Sequence, residues 1–407
     1  MDVALDALFV AYSSYQEQDD SVKLLDRPYK RLWNTVLSTS DKLLGNERVW
    51  ARPLRIHLEV NDICNLKCPH CPRENPMIPK NTGHIPIEAI RNLIPWFKEA
   101  TYVGLAGNGE PFLHPQIMEI LKIIVDAGAA PSVISNATLW KKLDIIDQIA
   151  GLGPMLLNVS IDGGTKATFE KWRLRANFEE VRENLRALRE AKQKKGTQLP
   201  VVNFISCLMQ DTIGEVEEIV DVAAEAGAAV VVFQNMYPYN KMMEEARVKD
   251  MDQCREAIMK ARERAKKSGI RIDWLPMSVD VEERGSEGGS YGFLTAEDAG
   301  GNLHNHGAEN HANGKTRYHC DNIMHQIHVT VKGDIKYCCF WTDGAVGNLT
   351  TDNFGDLWNS DSWRKLRADL TAGKKPGPCE GCHNLVIHDR KKILRAGMKD
   401  MKDLWGR

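Results

Sequence analysis

The sequence predicts an α/β fold with a mainly parallel sheet, and two observations support this prediction. Between residues 54 and 235, six short apolar runs alternate with longer amphipathic stretches. Such a series implies parallel strands joined by helices, and right-handed crossovers either curl it into a barrel or open it into a doubly wound sheet. Further along, two apolar arms around a Lys-Gly-Asp turn predict a β-hairpin in a smaller α+β unit.

Each apolar run is a predicted strand, and each amphipathic stretch is a predicted helix. The predicted helix at 177–194 has Asn177 as its expected N-cap, with Glu180 three residues later as the capping-box partner. Ligands bind at the C-terminal ends of the strands in such folds. The predicted strands are 54–60, 101–106, 130–134, 155–161, 200–208, 229–234 and 270–276, and the predicted helices are 86–99, 115–127, 177–194, 213–226 and 249–268.

The pattern divides the chain into five segments. Residues 1–53 form an N-terminal helical extension with helices near 2–17 and 28–44, and residues 54–282 form the core. Residues 283–316 are rich in Gly, Asn and His and read as a flexible linker. The small domain with the hairpin covers 317–386, and a C-terminal helix covers 387–407.

Composition and charge exclude several classes of protein. The 53 basic residues are balanced by 55 acidic ones, which is against a main role in nucleic-acid binding. No apolar run reaches the roughly 18–20 residues of a membrane helix, and the N-terminal stretch is acidic where a secretory signal is basic. We therefore expect a cytoplasmic protein. Because disulfides are rare in that compartment, the ten cysteines need another explanation.

Three cysteines lie within eight residues directly after the first predicted strand: Cys64, Cys68 and Cys71. Three thiols on one loop at the end of a strand can close around one metal centre. Four-iron clusters commonly take four cysteine ligands, so three would leave one iron open. An open position is what distinguishes catalytic from structural zinc sites, and the same logic suggests catalysis here. On spacing alone, a zinc site remains an alternative.

The CxxxCxxC spacing after the first strand of a β/α series resembles the radical S-adenosylmethionine (SAM) superfamily. Further motifs of the family follow the cysteine motif in the same order along the chain and strengthen the resemblance, which covers roughly residues 54–235. The Gly107–Pro111 stretch resembles the element that binds the methionine amino group, with Asn108 where many members have glycine. Residues implied to contact SAM are Asn108, Gly109, Glu110, Ser135, Asn136, Ser160, Asp162, Arg173 and Gln234.

The resemblance implies a partial (β/α)6 barrel and a defined chemistry. A [4Fe–4S] cluster on the three cysteines would bind SAM, and a flavodoxin or ferredoxin would supply one electron. SAM would then be cleaved to methionine and a 5′-deoxyadenosyl radical, which removes a hydrogen atom from the substrate. Arg173 would suit the methionine carboxylate, and Gln234 would flank the adenine.

A second set of cysteines lies in the C-terminal part of the chain. Taken alone, this set is equally consistent with a zinc knuckle. Together with the first set it resembles the SPASM/Twitch extension of radical SAM enzymes, which implies one auxiliary [4Fe–4S] cluster. Spacing favours Cys338 over its neighbour Cys339 as a ligand. The implied ligands are Cys320, Cys338, Cys379 and Cys382.

Two further residues have both a functional and a structural interpretation. Cys207, on the fifth strand, is either a core thiol or a thiol that returns a hydrogen atom to the substrate, as some radical SAM epimerases require. His70, inside the cluster loop, occupies a position where many relatives have an aromatic residue, and we expect it to shield the cluster or touch the adenine.

Three hypotheses for function remain open from the sequence. The first is maturation of a peptide, which the N-terminal extension and the 283–316 segment favour slightly because they could build a wide cleft. The second is oxidation or epimerisation of a small molecule such as an aminocyclitol or sugar. The third is a zinc-binding scaffold without catalysis, which leaves the ordered polar residues at the strand ends unexplained.

Overall fold

The fold is described from a computed structural model. The structure describes residues 27–74, 82–236, 240–275, 317–338, 344–380 and 385–405, together with Lys80, Pro238, Trp341 and Cys382. The predicted helix at 2–17 and the predicted linker at 283–316 lie outside these residues.

Seven parallel strands form the centre of the molecule, and all of them lie where the sequence predicted. Neighbours in sequence are neighbours in the sheet, so the strands follow one another from β1 to β7. Their C-terminal ends therefore meet along one edge. The strands are β1 (Arg55–Leu58), β2 (Tyr102–Leu105), β3 (Ala130–Ser135), β4 (Leu156–Ser160), β5 (Val201–Leu208), β6 (Val230–Asn235) and β7 (Arg271–Leu275).

Helices connect these strands and cover one face of the sheet. Asn177 caps its helix as predicted, since its side chain accepts a hydrogen bond of 3.1 Å from the Glu180 amide. The helices of the core are α2 (Ile87–Asn92), α3 (Ile94–Phe97), α4 (Ile117–Asp126), α5 (Ile146–Ala150), α6 (Lys166–Trp172), α7 (Phe178–Lys194), α8 (Val216–Ala226), α9 (Lys241–Ala246) and α10 (Met251–Ala265).

The two faces of the sheet differ in polarity because side chains alternate along each strand. Residues such as Ile56, Leu157 and Phe204 are fully buried in the main hydrophobic core, together with apolar residues of the helices. The alternate residues, among them Asn158 and Cys207, lie on the opposite face. We call this second face the inner face, and it carries most of the polar groups discussed below.

The C-terminal domain continues the same sheet, which the sequence did not predict. Strand β9 (Gln326–Val329) pairs in parallel with β1, and β10 (Asp334–Lys336) returns antiparallel to β9 as the predicted hairpin. The turn contains Gly333, whose φ of 79° is easily adopted only by glycine. Strand β11 (Gly347–Asn348) completes the ten-stranded sheet, and β8 (Tyr318–His319) pairs separately with β12 (Val386–Ile387).

The remaining helices pack around this C-terminal extension. The N-terminal helix α1 (Arg27–Leu44) packs against the C-terminal helix α14 (Arg390–Trp405), and a Cβ atom at Gly397 would lie 2.3 Å from the Thr39 hydroxyl. Between β8 and α14 lie α11 (Asp321–His325), α12 (Phe354–Trp358) and α13 (Asp361–Thr371). No helix among the described residues is long and apolar enough to cross a membrane.

Candidate functional site

The three cysteines of the CxxxCxxC motif lie on the loop that follows β1. The loop turns tightly at the motif, where the Cys71 amide donates to the Cys68 carbonyl at 3.0 Å. The buried side chain of Arg73 anchors the end of the loop by donating from Nε to the Asp62 carbonyl at 3.2 Å. The loop is therefore fixed at both its cysteine-bearing turn and its exit.

The three thiols are free and close enough to influence one another's ionisation. Burial is the main cause that raises the pKa of each free thiol, that of Cys68 to about 11, and neighbouring cysteines contribute to the rise for Cys64 and Cys68. Three converging thiolates would therefore need a cationic centre to neutralise them. This donor set fits an iron–sulfur cluster with one iron left without a protein ligand.

The loop after β2 fits closely against the cysteine loop because it contains glycine. A Cβ atom at Gly109 would lie 2.0 Å from Oδ1 of Asn61 and 2.5 Å from its carbonyl oxygen, so only glycine fits. Two hydrogen bonds then join the loops: the Glu110 amide donates to the Ile63 carbonyl at 2.8 Å, and Asn61 Nδ2 donates to the Glu110 carbonyl at 2.9 Å. Glu110 is thereby placed beside the cysteine loop.

Glu110 carries a buried carboxylate that residues at the end of β3 orient. The Ser135 hydroxyl donates to Oε1 and the Asn136 amide donates to Oε2, both at 2.8 Å. Burial raises the pKa of Glu110 to about 7, although these two hydrogen bonds act to lower it. Glu110 is thus an oriented acceptor that titrates near neutral pH.

Ser135 and Asn136, which the sequence analysis expected at SAM, have well-defined protein partners. Besides orienting Glu110, Asn136 donates from Nδ2 to Oδ1 of Asn65 in the cysteine loop at 3.0 Å. Thr138 closes this network, because its hydroxyl accepts from Asn65 and donates to Asn136. These residues therefore hold Glu110 and the cysteine loop in a fixed relation.

Asp162, just beyond β4, is the centre of a buried charge network. Its Oδ2 atom forms an ion pair with Arg173 and lies 3.0 Å from Nε2 of His70, while Oδ1 accepts from the Cys207 amide at 2.8 Å. Burial alone would raise the pKa of Asp162, but Arg173 and then His70 outweigh it and hold that pKa well below its usual range. Asp162 is therefore ionised throughout the physiological range.

Cys207 and Gln234 are neighbours on β5 and β6, on the inner face of the sheet. They pair directly in the strand register, and Gln234 Nε2 lies 3.2 Å from the Cys207 sulfur. Burial raises the pKa of the Cys207 thiol to about 12, and the charge of Asp162 adds to this effect. The thiol is consequently protonated at neutral pH.

The two other residues expected at SAM lie at the edges of this site. Ser160 is buried at the end of β4. Asn108 is half-buried and donates from Nδ2 to Oε1 of Glu59 at 3.4 Å. Asn108, at the position where many radical SAM enzymes have glycine, thus contacts Glu59, the residue directly after β1. Gly109 and Glu110 keep the arrangement described above.

A polar group at the seam between β1 and β9 was missed in the sequence analysis. The rings of His57 and His328 stack with centroids 4.7 Å apart, and His328 Nε2 lies 3.7 Å from Oε1 of Glu59. Burial lowers the pKa of His57 to about 3, so that ring is neutral. Period-two alternation in β1 could have placed His57 and Glu59 on one face, but no pattern pairs them with His328.

The four cysteines predicted to hold an auxiliary cluster converge from three parts of the C-terminal domain. Cys320 precedes α11, Cys338 follows β10, and Cys379 and Cys382 share one turn in which the Cys382 amide donates to the Cys379 carbonyl at 3.3 Å. Burial raises the pKa of Cys320 above its usual range and that of Cys379 to about 11. Cys338 raises both further, and Cys382 raises that of Cys379, so the thiols are neighbours.

Cys339 lies outside the described residues. Cys254 is fully buried in α10 and receives a weak hydrogen bond from Asn235 at 3.7 Å. It packs in the main hydrophobic core, where a free thiol behaves as a small apolar side chain.

Comparison with known families identifies both halves of this arrangement. The radical SAM superfamily matches residues 58–223, and the iron–sulfur cluster-binding SPASM domain matches residues 320–383. The chain belongs to the radical SAM superfamily and carries a C-terminal SPASM domain. It is therefore an enzyme. Its radical SAM domain binds SAM and a [4Fe–4S] cluster, and its SPASM domain binds auxiliary iron–sulfur clusters.

Two proteins with different functions are similar to this chain in sequence. The AdoMet-dependent heme synthase of Methanosarcina barkeri is 22% identical over 356 residues, which are 81% of this chain and 88% of the relative. The antilisterial bacteriocin subtilosin biosynthesis protein AlbA of Bacillus subtilis is 32% identical over 91 residues, which are 22% of this chain and 20% of the relative.

The fold is similar to that of solved radical SAM structures. Streptococcus suis SuiB bound to its precursor peptide SuiA has a TM-score of 0.59 at 15% identity, covering 90% of this chain and 79% of SuiB. SuiB bound to S-adenosylmethionine gives 0.58 at 14% identity, covering 80% and 70%. At these identities the likeness establishes the fold, which confirms the predicted fold class.

Proposed function

We propose that the protein modifies a peptide by removing a hydrogen atom from one of its carbon centres, with the auxiliary cluster assisting electron transfer. The observation that supports the radical chemistry most strongly is the convergence at one sheet edge of three free thiols, an oriented Glu110 and the Asp162–Arg173 pair. The thiols, Glu110 and Asp162 follow β1, β2 and β4, the strand ends at which ligands bind in this type of fold. A flavodoxin or ferredoxin is the proposed reductant.

The cluster and SAM would be held by the residues that the sequence analysis named. Cys64, Cys68 and Cys71 would hold the SAM-binding cluster, and the remaining iron would be open to SAM. When bound, this group supplies the one-electron chemistry that generates a carbon radical on the substrate. The proposed ligands of the auxiliary [4Fe–4S] cluster are Cys320, Cys338, Cys379 and Cys382.

The surrounding side chains would bind and orient SAM. Glu110, held by Ser135 and Asn136, offers a carboxylate acceptor to the methionine amino group, and Arg173 offers N–H donors to the methionine carboxylate. Ser160 and Asp162 would face the ribose, and Gln234 the adenine. Gly109 and Asn108 would line the approach to Glu110. Glu110, Asp162 and Gln234 already have hydrogen bonds to protein groups, so these side chains need not move far.

A peptide substrate is supported by two likenesses. AlbA, whose name gives bacteriocin biosynthesis as its role, shares 32% identity over 91 residues, and the SuiB structure with its precursor peptide shares the fold over 90% of this chain. The test is to incubate the anaerobically reconstituted enzyme with SAM, a reductant and synthetic peptides that correspond to any short open reading frames next to its gene. A peptide mass change together with 5′-deoxyadenosine is expected, and formation of 5′-deoxyadenosine without any modified peptide would contradict the proposal.

A small-molecule substrate is the second candidate. It is favoured by the heme synthase relative, which aligns over 81% of this chain. An aminocyclitol or sugar dehydrogenase or epimerase belongs to this class, and the protonated Cys207 thiol on the inner face is suited to returning a hydrogen atom. In that case Cys207→Ser would stop solvent deuterium from entering the product while SAM cleavage continued.

The radical chemistry has its own test, which needs no substrate. Replacing Cys64, Cys68 and Cys71 by Ala should abolish SAM cleavage and leave about four irons per chain on the auxiliary cysteines, against about eight in the unaltered protein. Persistent 5′-deoxyadenosine formation in the triple variant would overturn the assignment of these cysteines. A colourless protein with zinc instead of iron would favour the scaffold hypothesis.

A further inference from the structure

Arg173 is fixed to the loop that carries the three cysteines. It follows the last residue of α6, and the next residue, Leu174, accepts a backbone hydrogen bond of 3.1 Å from the Lys67 amide in that loop. The backbone on either side of the contact therefore cannot shift independently. The position of the Arg173 side chain relative to the cysteines is set by the fold.

The guanidinium of Arg173 has two different partners. One terminal nitrogen pairs with Oδ2 of Asp162, and the other, NH1, lies 4.0 Å from the Cys68 sulfur. The Asp162 carboxylate is itself held in place, because it also contacts His70 and accepts a hydrogen bond from the Cys207 amide. The planar fork of arginine is thus aimed at a sulfur atom, a geometry that lysine cannot reproduce.

The charge of Arg173 lies in a site that is largely removed from water. Its side chain is only 14% exposed. The charge therefore acts on the sulfur atoms of the cysteine loop with little screening by solvent. A cation beside these sulfurs stabilises negative charge on them, and a reduced cluster carries one more negative charge than an oxidised one.

We propose that Arg173 raises the reduction potential of the SAM-binding cluster through its charge and its N–H contact with the Cys68 sulfur, and that Asp162 is the positioning residue that aims it. The inference rests on the proposed function, since it assumes a cluster on Cys64, Cys68 and Cys71. It gives Arg173 a role in the protein before SAM arrives, in addition to binding the methionine carboxylate.

The test is a potentiometric titration of the anaerobically reconstituted protein without SAM, followed by electron paramagnetic resonance. The relevant signal is the one that disappears in the Cys64→Ala/Cys68→Ala/Cys71→Ala variant. In Arg173→Gln we expect the reduced-to-oxidised ratio at a fixed potential to fall about tenfold, which for a one-electron couple is a shift of about 59 mV to more negative values. The control is Asp211→Asn, because Asp211 accepts from the neighbouring Trp172 and lies outside this network.

Arg173→Lys keeps the positive charge but loses the fork, so it separates the contact from the charge. We expect a smaller shift in the same direction, and this variant decides the question if Arg173→Gln does not retain the cluster. The inference would be overturned if the reduction potential were unchanged in Arg173→Lys or in a cluster-loaded Arg173→Gln. It would also be overturned if Asp211→Asn lowered the reduction potential equally. Absence of the cysteine-dependent signal in the unaltered protein would instead overturn the proposed function.

Discussion

The Nζ atom of Lys42 lies 3.2 Å from Oδ1 of Asp321, and this ion pair joins the N-terminal helix α1 to the residue that follows Cys320. The Lys42 side chain is 8% exposed and that of Asp321 is 24% exposed, so the pair is largely removed from water. Burial would raise the pKa of Asp321, but Lys42 and then His325 hold it well below its usual range. A helix outside both cysteine motifs thus stabilises the neighbourhood of the auxiliary site.

We expect Asp321→Asn to lower the free energy of unfolding by about 3 kcal/mol, because it leaves the Lys42 ammonium buried without its counterion. This is the lower end of the range for breaking a buried pair, since Asp321 retains some exposure. The measurement is urea unfolding of the cluster-free protein at pH 7. The matched control is Lys122→Gln, which breaks an exposed pair with Asp126 and should cost about 0.5 kcal/mol or less.

The same variant has a defined pH dependence. Because the folded-state pKa of Asp321 lies below its ordinary value of 3.8, the carboxylate contributes its stability above that pH and loses it as the pH falls further. The difference between Asp321→Asn and the unaltered protein should therefore narrow on acidification below about pH 4. A difference that stayed constant down to pH 2 would exclude an ionic origin.

Gly109 should not tolerate a side chain. In Gly109→Ala the new Cβ atom would meet Asn61, so we expect a loss of at least about 2 kcal/mol in unfolding free energy and weaker SAM binding. Thermal unfolding and calorimetric titration with SAM measure the two effects. Gly214→Ala is the matched control, because nothing lies within 4 Å of its Cβ position and it should leave both quantities unchanged.

The sequence was sufficient for the parts of this molecule that depend on local pattern. The strands and Asn177 as an N-cap follow from periodicity and local pattern, and the two cysteine groups were predicted from their spacing together with the family resemblance. The pairing of β9 with β1 could not be predicted, because it joins two four-residue strands far apart in the chain. For the same reason the contacts of Asp162 with Arg173 and of His57 with His328 required the folded structure.

Glu110 should make SAM binding depend on pH near neutrality. Burial raises its pKa to about 7, so the acceptor for the SAM amino group is mostly protonated at pH 6 and mostly ionised at pH 8. We expect the SAM affinity of the reconstituted enzyme to rise about tenfold between these two values. Anaerobic calorimetric titration measures it, and Glu110→Gln should bind weakly with no such rise. An equal rise in that variant would assign the effect to another group.

Ionisation of Glu110 should favour SAM binding but reduce the stability of the fold. The reason is that its folded-state pKa is raised, so the folded protein favours the protonated carboxyl group. The contribution of Glu110 to the free energy of unfolding is fully present below pH 4.5 and is lost as the pH rises through about 7. In the cluster-free protein, Glu110→Gln should therefore gain stability relative to the unaltered chain as the pH increases. Urea unfolding at pH 5 and pH 8 tests this, and identical differences at the two values would contradict it.

Adjacent cysteines allow a sharp test of the auxiliary site. Cys338 raises the pKa of both Cys320 and Cys379, so its thiol is close enough to both to act on them electrostatically. We expect Cys338→Ala to lose about four irons per chain and to retain SAM cleavage, because the SAM-binding cysteines are unchanged. Cys339→Ala, the matched control one residue away, should keep its full iron content. Iron loss in Cys339→Ala with none in Cys338→Ala would assign the fourth ligand to Cys339. Loss of SAM cleavage in Cys338→Ala would show that the two sites are not independent.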